Sequence, residues 1–367
     1  MFVLANLIFF LLLHNIYLGM GKALLGMTLS ELEALCGEQG LPRFAAKQIA
    51  DWLYKKKVCD ISQMTNLSKA AREKLSLSCE VGAPAAAGCI TSTDGTKKYT
   101  FPTSEGRFVE TVMIPDGDRA TVCVSCQAGC KMGCKFCMTG RQGFHGNLSA
   151  AEILAQFIRI DEADQLTNAV FMGMGEPLDN WENISRAIEV LTADWGFAWS
   201  PKRITLSTIG IPDKLKAFLD TTKCHLAVSL HNPFPDEREE LMPVQHRYDI
   251  RDVISLIKKY DFSGQRRVSF EYTMFAGIND DKRHADGLIA LLKGIPCRVN
   301  LIRFHKIPDS DLNTCPTGIM EIFEQRLAKA GITTTIRSSR GEDILAACGM
   351  LAGKVREDRQ STGSECS

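Results

Sequence analysis

From Ala120 onward the chain repeats one pattern: a short, mostly apolar run of strand character, then a longer stretch whose apolar positions recur at helical spacing. The strand-like runs are 121–125, 168–172, 203–207, 225–230, 267–272 and 298–302, and the helical stretches include 150–160, 182–192, 251–260, 284–292 and 318–329. Strands alternating with helices predict parallel βαβ units, hence an α/β fold closing as a partial (β/α)6 TIM-like barrel over 119–353. Functional residues are then expected at the carboxyl ends of the strands. Residues 88–118 instead show short strand patterns around an Asp94-Gly95 turn, which predicts a β-hairpin extension. Upstream, Thr28 and Glu31 stand at capping-box spacing before an apolar stripe, and a second helix is expected over 45–57. Residues 20–87 therefore read as a small helical accessory domain, and the polar segment 354–367 as a frayed tail.

The remaining end, residues 2–13, is an almost wholly apolar run resembling the core of an export signal. No basic stretch precedes it, and His14-Asn15 break it short of the roughly 20 apolar residues that a membrane span needs. A true start at Met20, with 1–19 a mis-assigned extension, is the preferred reading; a peripheral apolar tail and a signal or anchor are the others.

Composition changes this picture in two respects. With 367 residues, 45% hydrophobic and 23% charged, the chain is long enough for two domains and is not a disordered or multi-span membrane protein. Forty-three basic and forty-three acidic residues cancel, so a nucleic acid would have to be met through a local patch. Residues 41–79 offer one, with eight Lys/Arg against three acids beside Trp52 and Tyr54. A solvated helix face is the plainer reading, and an RNA-facing surface the sharper one.

Candidate chemistry is concentrated in the cysteines. Of fourteen, five (Cys123, Cys126, Cys130, Cys134 and Cys137) fall within fifteen residues, which points to metal or redox chemistry in a reducing compartment. Cys130-x3-Cys134-x2-Cys137 follows the first barrel strand on a single loop. Three thiolates can hold a cubane iron–sulfur cluster by three irons and leave the fourth open to a ligand. A tetrahedral zinc site, with Cys126 or Cys123 as fourth ligand, is the competing reading. Taken alone, Cys123 reads as a strand cysteine, Cys348 as a helix core position, and Gly173-Met-Gly-Glu-Pro177 as a βα turn.

Together these segments carry a resemblance. Cys130-x3-Cys134-x2-Cys137 with Phe136 before the last cysteine resembles the radical S-adenosylmethionine signature. Cys123-Val-Ser-Cys-Gln-Ala-Gly-Cys130, Arg141-Gln-Gly-Phe144, Gly173-Met-Gly-Glu-Pro177, Arg203-Ile-Thr-Leu-Ser-Thr208, Ala227-Val-Ser-Leu-His231 and Arg340-Gly-Glu-Asp-Ile-Leu-Ala-Ala-Cys348-Gly narrow it to the RlmN/Cfr family of RNA adenosine methyltransferases, closest to its RlmN branch. The likeness runs from about Met20 to Gly353.

The resemblance implies a [4Fe-4S] cluster on Cys130, Cys134 and Cys137, and two molecules of S-adenosylmethionine per turnover. It implies methylation of carbon 2 of adenine, at adenosine 2503 of 23S rRNA and adenosine 37 of tRNA. One S-adenosylmethionine would methylate Cys348; a radical made from the second would take a hydrogen from that methyl group, and the resulting carbon would join the base. Radical chemistry suits the problem, because the C–H at carbon 2 is neither acidic nor nucleophilic. Glu110, in Val109-Glu-Thr-Val112, matches the proton acceptor and Cys123 the resolving thiol, which would free the product through a transient Cys348–Cys123 disulfide. Gly175, Glu176, Ser207, Ser229, Leu230 and His231 match contacts to S-adenosylmethionine. His305, in Leu301-Ile-Arg-Phe-His305, stands where most relatives have Asn, and an imidazole cannot reproduce the two-sided amide pairing. The same likeness implies 23S rRNA and tRNA as partners, a flavodoxin-type electron donor, no membrane, a monomer and a cytoplasmic setting. Alternatives are Cfr-like methylation at carbon 8, a zinc-stabilised RNA-binding module without chemistry, and a radical enzyme acting on a small metabolite.

Overall fold

The computed structural model describes residues 21–264 and 266–353; the expected 1–19 extension and 354–367 tail lie outside the described residues. The chain divides into two compact units, the first formed by residues up to 84 together with 149–158 and 186–199. Strands β1 (Lys22–Ala23) and β2 (Cys79–Glu80) pair in parallel across this unit. Helix Leu29–Glu38 opens on the expected capping box: Thr28 Oγ1 accepts from the Glu31 amide at 3.3 Å, and the Thr28 amide donates to the Glu31 carboxylate at 2.8 Å. The helix expected over 45–57 is an α-helix at Phe44–Ala50 that runs into a π-helical turn at Asp51–Lys55. That turn carries Leu53 and Tyr54 inward. Tyr54 is buried, its hydroxyl donates to the Met27 carbonyl at 2.6 Å, and its ring lies 5.8 Å from Trp195. It is therefore a core residue, which corrects its reading as part of an RNA-facing surface. Trp52 stays half-buried, with the Lys56 ammonium 3.6 Å above its ring.

The second unit, residues 85–148, 159–185 and 200 onward, is built on one ten-stranded sheet. Antiparallel strands β3 (Gly88–Thr91), β4 (Lys97–Pro102), β5 (Phe108–Asp116) and β6 (Arg119–Cys123) form one flank. A short separate hairpin, β7 (Gln127–Gly129) with β8 (Phe144–Asn147), follows. The parallel series then runs from β6 to β9 (Asn168–Phe171), β10 (Ile204–Thr208), β11 (His225–Ser229), β12 (Val268–Met274), β13 (Cys297–Arg303) and β14 (Thr333–Ile336). Leu226, Val228, Phe270, Tyr272, Val299 and Leu301, which share one face of the sheet by register, are almost fully buried. The sheet order begins at β14 and ends at β3, so the barrel is partial. All six expected barrel strands are present, with ends shifted by one or two residues. β14 was not expected: its sequence Thr333-Thr-Thr-Ile336 is half exposed and lacks the apolar run that marks the others. Residues 88–118 form three strands that continue the barrel sheet. Helices Pro212–Thr221 and Pro235–Leu241, each begun by a proline in its first turn, add to the expected set.

Candidate active site

The three cysteines of the cluster motif sit on the loop that leaves β7. Cys130 donates its amide to the Gly143 carbonyl at 2.8 Å, Lys135 to Leu241 at 3.0 Å, and Met138 to Gly349 at 2.8 Å, so the loop is tied to three other segments. Phe136 packs edge-on against His231 at 4.8 Å and against Phe275 at 5.4 Å. Cys130, Cys134 and Cys137 all line one cavity of about 160 Å³. Burial raises the pKa values of all three, Cys130 up to about 12 and Cys134, which also feels its two neighbouring thiols, well above the ordinary thiol range. Thiols in such surroundings ionise only against a positive centre. A closed zinc site needs four ligands about one ion. Cys126 is buried and lines no part of this cavity, and Cys123 opens on another, so no fourth thiol joins the three motif cysteines there. Three soft donors facing one cavity fit a cluster held at three irons, open on its fourth side.

The carboxyl ends of β9, β10 and β11 supply the rest of the cavity wall: Gly175, Glu176, Ser207, Ser229 and His231 all line it. Gly175 has φ +102°, and a Cβ there would come within 2.5 Å of Gln127 Cβ, so the turn is open only to glycine. Glu176 is buried and accepts from Thr208 Oγ1 at 2.5 Å, the Leu178 amide at 3.0 Å and the Ile209 amide at 3.0 Å. Burial outweighs these bonds and lifts its carboxyl to about 7. His231, at φ +58°, accepts from the Thr273 amide on Nδ1 at 3.0 Å. Burial, then Arg238, holds its pKa down near about 3, so the ring is neutral and carries its proton on Nε2. Leu230 is fully buried and lines no described cavity; its carbonyl is taken by Arg238. His305 faces a neighbouring cavity instead, between Ser339 Oγ at 2.8 Å and the Glu342 carboxylate at 3.1 Å.

Cys348 lies exposed in a turn, which overturns its reading as a helix core position. It lines the cluster cavity and also a smaller one of about 90 Å³ shared with Cys123 and Cys137. Burial, then the nearby Cys348, pushes the Cys123 thiol up to about 12. Every cysteine among the described residues is free, so the Cys348–Cys123 link is no standing disulfide. Glu110 lines neither of these cavities. It is buried, pairs with Lys98 at 2.9 Å, and accepts from the amides of Ala352 at 2.7 Å and Gly353 at 3.1 Å. The antiparallel flank thus grips the Cys348 segment, helped by Lys98 donating to the Leu345 carbonyl at 3.3 Å and Asp94 accepting from the Gly341 amide at 3.0 Å.

Two arginines of this site went unread in the sequence. Arg238 is fully buried and donates to the carbonyls of Ser229 and Leu230, each at 2.9 Å, and to Gln245 at 2.6 Å, fixing the end of β11. Arg337 lies beside Cys348 and Cys123 and is held 3.4 Å from the buried Glu271 carboxylate. Arg238 follows β11 by nine residues and Arg337 directly follows the unexpected strand β14, so no motif marked either.

Comparison with known proteins gives a consistent set of likenesses. The model of the radical SAM superfamily matches residues 124–286, and that of the ribosomal RNA large subunit methyltransferase N-terminal domain matches 22–81. A protein of Porphyromonas gingivalis named a probable dual-specificity RNA methyltransferase RlmN is 57% identical over 341 residues, covering 93% of this chain and 100% of its own. One of the same name from Parabacteroides distasonis is 58% identical over 331 residues, covering 90% and 96%. The crystal structure of a radical SAM methyltransferase from Sphaerobacter thermophilus, 39% identical, superposes with a TM-score of 0.86 over 91% of this chain and 100% of that one.

Proposed function

The chain belongs to the RlmN family of radical SAM RNA methyltransferases, and from that premise we propose that it methylates carbon 2 of adenine at adenosine 2503 of 23S rRNA and adenosine 37 of tRNA. The observation that carries the reading is the meeting of Cys123, Cys137 and Cys348 in one small cavity that adjoins the motif cavity. Cys130, Cys134 and Cys137 would hold a [4Fe-4S] cluster, which with S-adenosylmethionine bound supplies a carbon radical able to take hydrogen from an unactivated C–H bond. Glu176 offers its carboxylate to the ammonium of S-adenosylmethionine. Ser207 and Ser229 offer hydroxyls, His231 an Nε2–H and Gly175 room for close approach, while both backbone groups of Leu230 are engaged by Glu271 and Arg238. His305, held by Ser339 and Glu342 on the neighbouring cavity, is not among these contacts.

Cys348 Sγ carries the methyl group, and its exposed turn lets it meet both cofactor and base. Cys123 lines the same small cavity, placed to attack the Cys348 sulfur of a Cys348–RNA link, so that a Cys123–Cys348 disulfide forms as the sulfur–carbon bond breaks and the released carbon takes up a proton as the product methyl group. Glu110 takes the proton from the modified carbon; because its Oε2 holds Ala352 and Gly353, this use requires the Cys348 segment to shift. The small N-terminal domain supplies part of the RNA contact through the basic residues of 41–79. A cytoplasmic setting, a flavodoxin-type electron donor and action as a monomer complete the reading. Among the described residues no helix is long and apolar enough to cross a membrane. The test is nucleoside analysis of 23S rRNA and tRNA after reaction with the holoenzyme. 2-Methyladenosine in both is expected; 8-methyladenosine would instead give the Cfr-like reaction.

A further inference from the structure

Beyond the cluster cavity, the turn that carries Cys348 opens on a second and larger one, about 370 Å³ against about 160 Å³. Its walls come from β5 and β6 on one side and from β13 and β14 on the other, so it lies at the open seam of the partial barrel. Four arginines line it, Arg119, Arg303, Arg337 and Arg340, against a single acid, Asp116. Arg340 pairs with Asp116 at 3.2 Å and Arg337 with Glu271 at 3.4 Å. The other two are uncompensated. Arg303 donates to Thr317 Oγ1 at 2.6 Å and the Cys315 carbonyl at 3.5 Å but meets no carboxylate, and the exposed Arg119 side chain has no partner among the described residues. Two guanidinium groups on opposite walls of a concave site concentrate positive potential there, although the whole chain carries no formal net charge.

We infer that this cavity is a phosphate seat for the RNA strand bearing the target adenosine, with Arg119 and Arg303 as the backbone-holding residues. The inference rests on the RNA-methylation reading and adds the place where the strand is held. A guanidinium fork matches phosphate oxygens bidentately. S-Adenosylmethionine suits this cavity poorly, because one carboxylate is offset by the ligand's own sulfonium and ammonium. A phosphodiester strand has no such internal compensation. Cys348 and Arg337 line both cavities, so a nucleotide held here by its phosphate has its base beside the carrier thiol.

The test uses the full-length holoenzyme and a fluorescent RNA stem-loop containing the target adenosine, with affinity read by anisotropy across a potassium chloride series. Arg119→Gln and Arg303→Gln are each expected to weaken binding about 5- to 20-fold and to lower the salt slope by roughly 0.7 per lost phosphate contact. The KM for RNA should rise by a similar factor with kcat little changed, and Arg119→Lys should recover part of the loss. Lys293→Gln, the same charge change on an exposed site before the amino end of β13, opposite the end that carries Arg303, should leave the salt slope as it is. Wild-type affinity and slope in the Arg119→Gln/Arg303→Gln double variant, with wild-type enzyme methylating the same RNA, would overturn the phosphate seat. Failure of the wild-type holoenzyme to bind or methylate the RNA would overturn the functional reading itself, and this inference with it.

Discussion

Glu176 shows how burial turns one carboxyl into a conditional partner. Its native pKa of about 7 stands above the ordinary carboxylate value, so the folded chain holds a proton that the unfolded chain has already released. Stability contributed by this group is therefore full at low pH and is lost as pH rises through about 7. Binding has the opposite sign, since only the ionised form attracts an ammonium. The affinity for S-adenosylmethionine should rise toward pH 7 and decline again only where the ligand's own α-ammonium deprotonates, near about 8. In calorimetric titrations Glu176→Gln should bind roughly 10-fold more weakly at pH 7.5 and lose the rising limb; a variant with the wild-type pH profile would remove Glu176 from the ammonium site. Cys123 is tested differently. Cys123→Ala should let RNA become linked to Cys348 without release, seen as a shifted protein band that ribonuclease removes. Free methylated RNA formed at the normal rate would rule out the resolving role.

Among the elements, legibility followed burial pattern. The six barrel strands were readable because each is an apolar run between turns, whereas β14 is a half-exposed Thr-rich edge whose strand character comes from pairing with β13. The capping box at Thr28 was legible to the residue, because it is a local hydrogen-bond exchange. The inward turn of Tyr54 was not, since it depends on a π-helical turn and on aromatic residues more than a hundred positions away. The grip of the antiparallel flank on the Cys348 segment is equally non-local: Glu110 and Ala352 are 242 residues apart. Gly175 was legible as a glycine turn, but the reason it admits nothing larger is Gln127, whose side chain accepts from the Glu176 amide at 2.9 Å. Gly175→Ala should cost about 1–3 kcal/mol in chemical unfolding and weaken S-adenosylmethionine binding at the same time. An alanine variant with unchanged midpoint and affinity would show that the turn relaxes freely.

Taken whole, the molecule puts its chemistry on one unit and at one end of one sheet. The cluster cysteines, the β9–β11 strand ends and Cys348 border a common cavity, and the second cavity beyond Cys348 is lined by basic groups that the chain's overall neutrality conceals. Which residues line the cavity was legible through motifs in Cys130–Cys137 and around Cys348. How they are held was not, because Arg238, Arg337 and Glu271 reach the site from strands and helices that carry no signature. The account depends most on Cys348 as a methyl carrier. Peptide mass spectrometry of anaerobically purified holoenzyme, incubated with S-adenosylmethionine and no RNA, tests that role directly. One additional methyl group on the Cys348 peptide is the predicted result. An unmodified Cys348 in protein that holds iron and acid-labile sulfide and cleaves S-adenosylmethionine would contradict it.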